Sequence, residues 1–436
     1  MNFWKYITGD RDTSEPDIVF GRFSDAYKSR EKYASWDQSM EAFEKEDYKT
    51  SVKHMLDYLR NEKGNNIKWH EKGENLEFSF YQGSKVIVGV VDTNCFRAEA
   101  SIAKATEMNI GFLRLACEDS YELKYSRFAL TPDNILCLIF DSYIEEASPY
   151  KIYYGLKEIA LRADKNDDVL IQEFRSLVPI QIDHIIALPD SEKAVKFKFY
   201  KHWIQESLDP KAIGALNADR FPGAFTYIFL STFYKIDYLI KPEGTIAETL
   251  EGLHDEYFEE AEFETSMKVK KLRVGLELMD LFTKEQFYQS LYKINSTFGQ
   301  VNPTNHAAVT SIILNEFKSI DWYLENKHDK VCKAICDYIC GYCLFHFALP
   351  APDKDLFHFY YQFTESDYFT ALGFESNHRS PNQNLEYDLI VDHVNELLEK
   401  HSSVFKEISL QFVPDTNSEV RFLISYMRFI TSLKLG

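Results

Sequence analysis

Residues 121–174 read YELKYSRFALTPDNILCLIFDSYIEEASPYKIYYGLKEIALRADKNDDVLIQEF. Apolar and polar residues alternate along Tyr121–Leu130 and again along Ile135–Tyr143, the period-two pattern of half-buried strands. Between them Thr131-Pro132-Asp133-Asn134 is a tight polar turn. Proline presets one backbone dihedral there, and the Asp and Asn side chains can bond to nearby main chain. Ser148 then offers a capping hydroxyl, Pro149 takes the first helical position, and an amphipathic helix follows.

Upstream the same patterns continue. Trp36, Met40, Phe43, Val52, Met55, Leu56 and Leu59 recur at helical spacing with an interruption at Glu46-Asp47, which predicts two helices or one bent one. Phe20–Lys28 is mixed and polar, a loop. Leu76, Phe78 and Phe80 alternate with Glu77 and Ser79 as a strand, Gln82-Gly83-Ser84 turns the chain, and Lys85–Val91 is a second, more buried strand. Phe96, Ala98, Ala100 and Ile102 mark a third, and Asn109–Cys117 turns helical. The predicted order is helix, three antiparallel strands, helix, two strands, helix.

This order, with the stretches NIGFLRLACEDSYELKYSRFAL and TPDNILCLIF and the helix capped by Ser148, resembles the type III secretion chaperone-like fold, including its YbjN-type members. The resemblance covers about residues 47–175. It implies a small, acidic α+β domain that binds an extended segment of another polypeptide along apolar patches of its sheet, with a homodimer among the expectations. The chain departs from that pattern by carrying extra sequence on both sides, and the C-terminal region is longer than the chaperone-like domain itself.

After Arg175 the strand signal fades. Helical spacing marks Ser191–Leu208, Gly223–Ile240, Glu248–Phe282, Lys284–Phe298, His306–Phe317, Trp322–Phe347, Leu385–Lys400 and Val420–Leu435. Phe357–Gly373 fits strand or helix, and Ile408–Val413 a short strand. Two domains are expected: residues 1–178, α+β, and residues 179–436, mostly α-helical.

Composition narrows the partners. The 436 residues carry a formal charge of -19, which argues against nucleic acid and anionic membrane surfaces, since both are bound by clustered Lys and Arg. Met1–Asp10 has neither a basic nor an adequate apolar stretch for a secretory signal. The longest apolar runs, Ala224–Tyr234 and Tyr338–Pro350, fall short of the roughly 18 residues of a membrane span. Seven cysteines, an odd number, read as free thiols in the cytoplasm. The 34 Phe, 27 Tyr and 5 Trp are more than a small core needs, and they fill helix and sheet cores or form a peptide-binding surface.

Three constellations could carry chemistry. Cys332, Cys336, Cys340 and Cys343 lie along one helical stripe, with His328 before and His346 beyond. At about 1.5 Å rise per residue the outer two sit roughly 16 Å apart, too far for one zinc with bonds of about 2.3 Å, so the stripe reads as small apolar residues on a buried face. Cys340-Gly341-Tyr342-Cys343 matches a dithiol motif but lies inside a helix expected to start near Trp322, without the helix N-terminus that activates a thiolate. Three Glu-x-x-His pairs (Glu251/His254, Glu325/His328 and Glu375/His378) echo carboxylate-bridged metal sites, but they sit in polar stretches. The acidic run Asp255–Glu264 reads as a solvated face. No phosphate-binding loop, dinucleotide fingerprint, nucleophile elbow or HExxH motif occurs.

No catalytic, cofactor-binding or metal-binding residue is therefore assigned. The expected function is a non-catalytic cytoplasmic protein that holds a partner polypeptide on its sheet, with Leu76–Tyr81 and Tyr121–Leu130 as contact strands. The alternative is a metal- or thiol-dependent enzyme built on the Cys-rich helix.

Overall fold

A computed structural model describes residues 16–61, 66–180, 185–209, 216, 220–259, 264–375, 378–380, 382–405 and 411–435. Met1–Asp10, part of the acidic run (260–263) and residues 408–410 of the expected Ile408–Val413 strand lie outside the described residues. The fold class is the predicted one, an antiparallel sheet with helices followed by a mostly helical half. The chain forms two compact units, and both are discontinuous. The sheet unit takes residues 23–187 and 292–300; the helical unit takes 188–291, 301–436 and the segment ending at Arg22. The boundary expected at 178/179 thus falls at 187/188, and the chain passes between the units four times rather than once.

In the sheet unit, α1 (Arg30–Glu44) and α2 (Tyr48–Leu59) start at Ser29 and Asp47, whose side chains accept from the amides of Lys32 and Thr50. Glu46, with φ +62°, ends the first helix and separates the two. Strands β1 (Ile67–Lys72), β2 (Asn75–Gln82), β3 (Lys85–Val91) and β4 (Cys95–Ala105) follow. Next come α3 (Ile110–Glu122), β5 (Arg127–Leu130), β6 (Ile135–Tyr143), α4 (Pro149–Glu173) and β7 (Leu177–Pro179). The spatial order is β1-β2-β3-β4-β6-β5, antiparallel throughout, and β7 pairs with the end of β4. One face is apolar: Phe78, Gly89, Ala98 and Phe140 stand in register across four strands, beside Phe80, Ile87, Ala100 and Leu138. Helix α4 buries Ile152, Leu156, Ile159 and Ala160 in the same core.

Two elements differ from expectation. Strand β1 carries little signal in the sequence, because IKWHEK offers only Ile67 and Trp69 to the apolar face of a sheet edge. The strand expected over Tyr121–Leu130 is only β5, since α3 runs on to Glu122. The Glu158 carboxylate then accepts from the amides of Lys124, Tyr125 and Ser126 and fixes a turn there.

The helix expected over Lys284–Phe298 also stops early. It ends at Gln289, and the chain enters the sheet unit through β9 (Tyr292–Lys293), which pairs with β8 (Ile186–Ala187). The Gln82 side-chain amide then grips the main chain. Its oxygen accepts from Thr297 N (3.2 Å) and Phe298 N (2.9 Å), and its nitrogen donates to Phe298 O (3.2 Å). The Phe298 ring, 1% exposed, packs edge-on against Phe80 and Tyr153. Asp25 closes the arrangement, accepting from Gly299 N and Tyr153 OH.

The helical unit contains α5 (Asp190–Leu208), α6 (Pro222–Lys235) with a π-helical continuation Ile236–Ile240, α7 (Gly244–Glu259), α8 (Thr265–Asp280) and α9 (Lys284–Gln289). It continues with α10 (His306–Glu316), α11 (Ile320–Glu325), α12 (Asp329–His346), α13 (Ala351–Thr364), α14 (Ser366–Ala371), α15 (Tyr387–Lys400) and α16 (Glu419–Ser432). The single helix expected over Trp322–Phe347 breaks at Lys327, which has φ +60°. Phe357–Gly373 is helical, in α13 and α14. Helix α12 is the buried centre and packs closely on α6, where a Cβ on Gly341 would lie 2.6 Å from Tyr234 Cβ.

Replacing Phe298 with Ala is expected to cost the sheet unit about 3–5 kcal/mol, the usual range for emptying an aromatic site. Denaturant unfolding of the variant, followed by the fluorescence of Trp36 and Trp69, measures it.

Candidate binding face of the sheet

Strand alternation sends every second side chain of the sheet away from the helices. One row across this open face is Lys68–Ser79–Val88–Glu99–Ile139–Arg127, and the next is His70–Glu77–Val90–Arg97–Asp141. Val88 is half exposed, and the valines form an apolar centre between charges of both signs. A shallow depression of about 530 Å³ lies over Lys68, His70, Glu77, Val88, Arg97 and Glu99. Its charges are paired along the surface: His70 Nε2 and Lys72 Nζ each lie 3.2 Å from Glu77, Arg97 pairs with Glu99 at 3.4 Å, and Arg127 pairs with Asp141. Exposed pairs of this kind contribute little to stability, so they can exchange partners at small cost.

Of the contact strands suggested by the sequence, only alternate residues lie on this face. Leu76, Phe78 and Phe80 are at most 4% exposed and belong to the core under the helices. Their neighbours Glu77, Ser79 and Tyr81 face outward instead. The aromatic alternation marks a strand, and its apolar side is the buried side, as transfer from water requires.

The two sheet edges differ. At β5 the amide of Phe128 is taken by Ser120 Oγ of α3 at 3.1 Å. At β1, Tyr81 N bonds to Asn66 O, and in this register Lys68, His70 and Lys72 share the ladder with β2. Trp69 and Glu71 therefore turn their main-chain groups outward. Among the described residues no strand pairs with that edge. Lys49 and Lys53 both reach Glu71, so the rim of this edge carries Lys49, Lys53, Lys68, His70 and Lys72 around few carboxylates.

The Cys-rich helix has no such accessibility. Cys332, Cys336, Cys340 and Cys343 are all 0% exposed. Burial pushes their thiols up, Cys332 to about 12 and the other three further. Protonated, they serve as donors: Cys340 Sγ to Phe357 O at 3.3 Å and Cys332 Sγ to Ile320 O at 3.8 Å. The C-x-x-C pair lies at the C-terminal end of α12, where the helix dipole opposes a thiolate. The Glu-x-x-His pairs are drawn apart by other partners. Glu251 pairs with Arg22, while His254 Nδ1 faces Tyr234 OH at 2.9 Å. His328 packs on Trp322, and His378 lies against Phe359 and His393. Among the described residues no three His, Cys, Asp or Glu side chains converge as a metal site.

The chain matches no family model, and no curated protein matches it. No described helix is long and apolar enough to cross a membrane.

Two measurements follow from these environments. A thiol reagent is expected to modify the exposed Cys117 first, and to reach the four α12 thiols only after denaturation. Burial lowers His254, His358 and His393 from 6.5 to about 4, helped at His254 by neighbouring His346 and at His393 by His378. The unfolded chain binds more protons at these three sites between pH 6.5 and about 4, so stability falls as pH falls through that window.

His306 opposes this trend. Burial lowers it, but the hydrogen bond and charge of Asp353 and the Leu433 carbonyl outweigh burial and raise it. Its contribution is complete below the unfolded value and is lost as pH rises through the raised one. Burial also lowers His346 and His378, so five lowered histidines stand against one raised, and the melting temperature is expected to drop on acidification from neutral pH. His358→Phe is expected to flatten that slope, which a series of thermal melts would show.

Proposed function

We propose that the sheet unit is a non-catalytic docking module. It holds an extended segment of another polypeptide as an added strand on β1 and seats that segment's side chains on the adjoining open face. The observation that carries this reading is the coincidence of the two. The edge whose main-chain groups point outward borders a face that none of the described helices of this unit covers, whereas at the β5 edge Ser120 of α3 takes the Phe128 amide. Strand addition supplies affinity through main-chain hydrogen bonds, and the valine centre with its exchangeable ion pairs supplies selectivity. The secretion chaperone-like resemblance supports the same reading. Seven free cysteines favour a reducing compartment, and we assign the protein to the cytoplasm.

The thiol-enzyme alternative loses its support, because the thiols it needs are buried and protonated. A second copy of the chain is one occupant the same edge would accept.

Glu71→Pro tests the reading. It removes an outward amide and leaves the β1–β2 ladder intact, so the melting temperature is expected to change little. Partners co-purifying with the full-length protein from cell extract, identified by mass spectrometry, are expected to be lost. An unchanged set of partners would remove β1 from the function. Lys72→Pro, which breaks a ladder bond, controls for damage to the sheet.

A further inference from the structure

The segment 16–22 has no secondary structure of its own, yet its last three residues occupy a built site in the helical unit. Val19 is exposed, while Phe20, Gly21 and Arg22 turn inward. The Phe20 ring lies 5.2–6.4 Å from the rings of Tyr238, His358, Phe369 and Phe374. Gly21 donates its amide to Tyr238 O at 2.8 Å. It has φ +70°, and a Cβ there would lie 2.5 Å from the Tyr238 ring, so only glycine fits. The Arg22 guanidinium donates to Asp237 through Nε (3.1 Å) and Nη2 (2.8 Å), and to Glu251 through Nη1 (2.8 Å). It also stacks over Phe345 at 4.0 Å.

The receiving residues also contact one another. Tyr238 OH bonds His358 Nδ1 at 3.0 Å, and Phe369 packs on both His358 and Phe374. Asp237 and Tyr238 both belong to the π-helical turn Ile236–Ile240, a geometry that recurs at functional positions and here turns a carboxylate and a carbonyl toward the same segment. Three consecutive residues are thus specified by three different means: an aromatic cage, a position without room for a side chain, and a two-carboxylate clamp that suits a guanidinium better than an ammonium. A segment that only filled space would need none of this selectivity.

We propose that this groove is a recognition site for an extended aromatic-Gly-Arg segment, filled in cis by Phe20-Gly21-Arg22, and that a second protein carrying such a segment binds by displacing the strap. The tether holds the strap at high effective concentration, so the site opens only to a competitor that is itself concentrated or anchored elsewhere. The strap is then an internal competitor that sets the threshold for binding.

The test uses the full-length Phe20→Ala/Arg22→Ala variant and a fluorescent peptide of residues 17–23, DIVFGRF. Saturable binding to the variant is expected by anisotropy, with affinity for the unmodified protein weaker by about tenfold or more. Peptides carrying Gly21→Ala or Arg22→Lys are expected to lose about tenfold or more in affinity. Absence of binding to a folded variant, or equal binding of the Gly21→Ala peptide, overturns the proposal. Hydrogen exchange at the Gly21 amide of the unmodified protein decides the matter independently of whether the variant folds. Exchange well ahead of the α6 and α12 amides is the expected result, and exchange only with global unfolding would make the strap part of the core and end the proposal.

Discussion

Phe298 fills the space between Phe80 and Tyr153, and Gln82 satisfies the peptide groups on either side of it with a single side-chain amide. The two kinds of interaction support each other. Burying the ring would strand main-chain donors and an acceptor in an apolar setting, at a cost comparable to the gain, unless a partner such as Gln82 met them. Gln82 ends β2, so its position is set by the hairpin turn at Gly83-Ser84, which is itself held by Asp164 of α4. Sheet, covering helix and returning segment are therefore fixed together, and the open face can stay uncovered because the core is complete on the other side.

Charge is handled differently in the helical unit. Lys235 pairs with Glu365, which also accepts from Trp203 Nε1 at 2.9 Å, and Asp337 accepts from Lys333 and Tyr360, both at 2.7 Å. His306 is held between Asp353 and the Leu433 carbonyl. Buried pairs of this sort are weak sources of net stability, but each one penalises any packing that separates the partners, which favours one arrangement of many similar helices. The α12 cysteines contribute on the same terms as alanine or valine, through size and apolarity.

Local signals in the sequence are legible. The period-two runs of β2, β3, β4 and β6, the interruption at Glu46-Asp47 and the cap at Ser148 depend on neighbours within a few residues, and the structure has them. What escaped the sequence is non-local. Phe298 sits in a stretch that reads as helix, but its main chain is a bend held by the distant Gln82. β1 has too few apolar residues to announce itself, although the alternation of Ile67 and Trp69 with Lys68 and His70 was there to be seen. The sequence marks β2 as a contact strand without saying which side is exposed, and its aromatic side is core. Its polar side, Glu77, Ser79 and Tyr81, was the available signal. The Phe-Gly-Arg run carried no warning, since a glycine between two ordinary residues in a loop has no periodicity.

The discontinuity of the units has a consequence for the order in which the protein is made. Residue 187 leaves the ribosome long before residue 298, and at about 5–20 residues per second the interval is on the order of 6–20 s. Throughout it the nascent sheet lacks one ring of its core. The strap waits longer still, because α13 and α14, which supply His358 and Phe369, come near the end of synthesis. The first described residues of the chain are thus among the last to find their place, and a newborn copy passes through a period when its Phe-Gly-Arg segment is displayed to the cell before it is withdrawn.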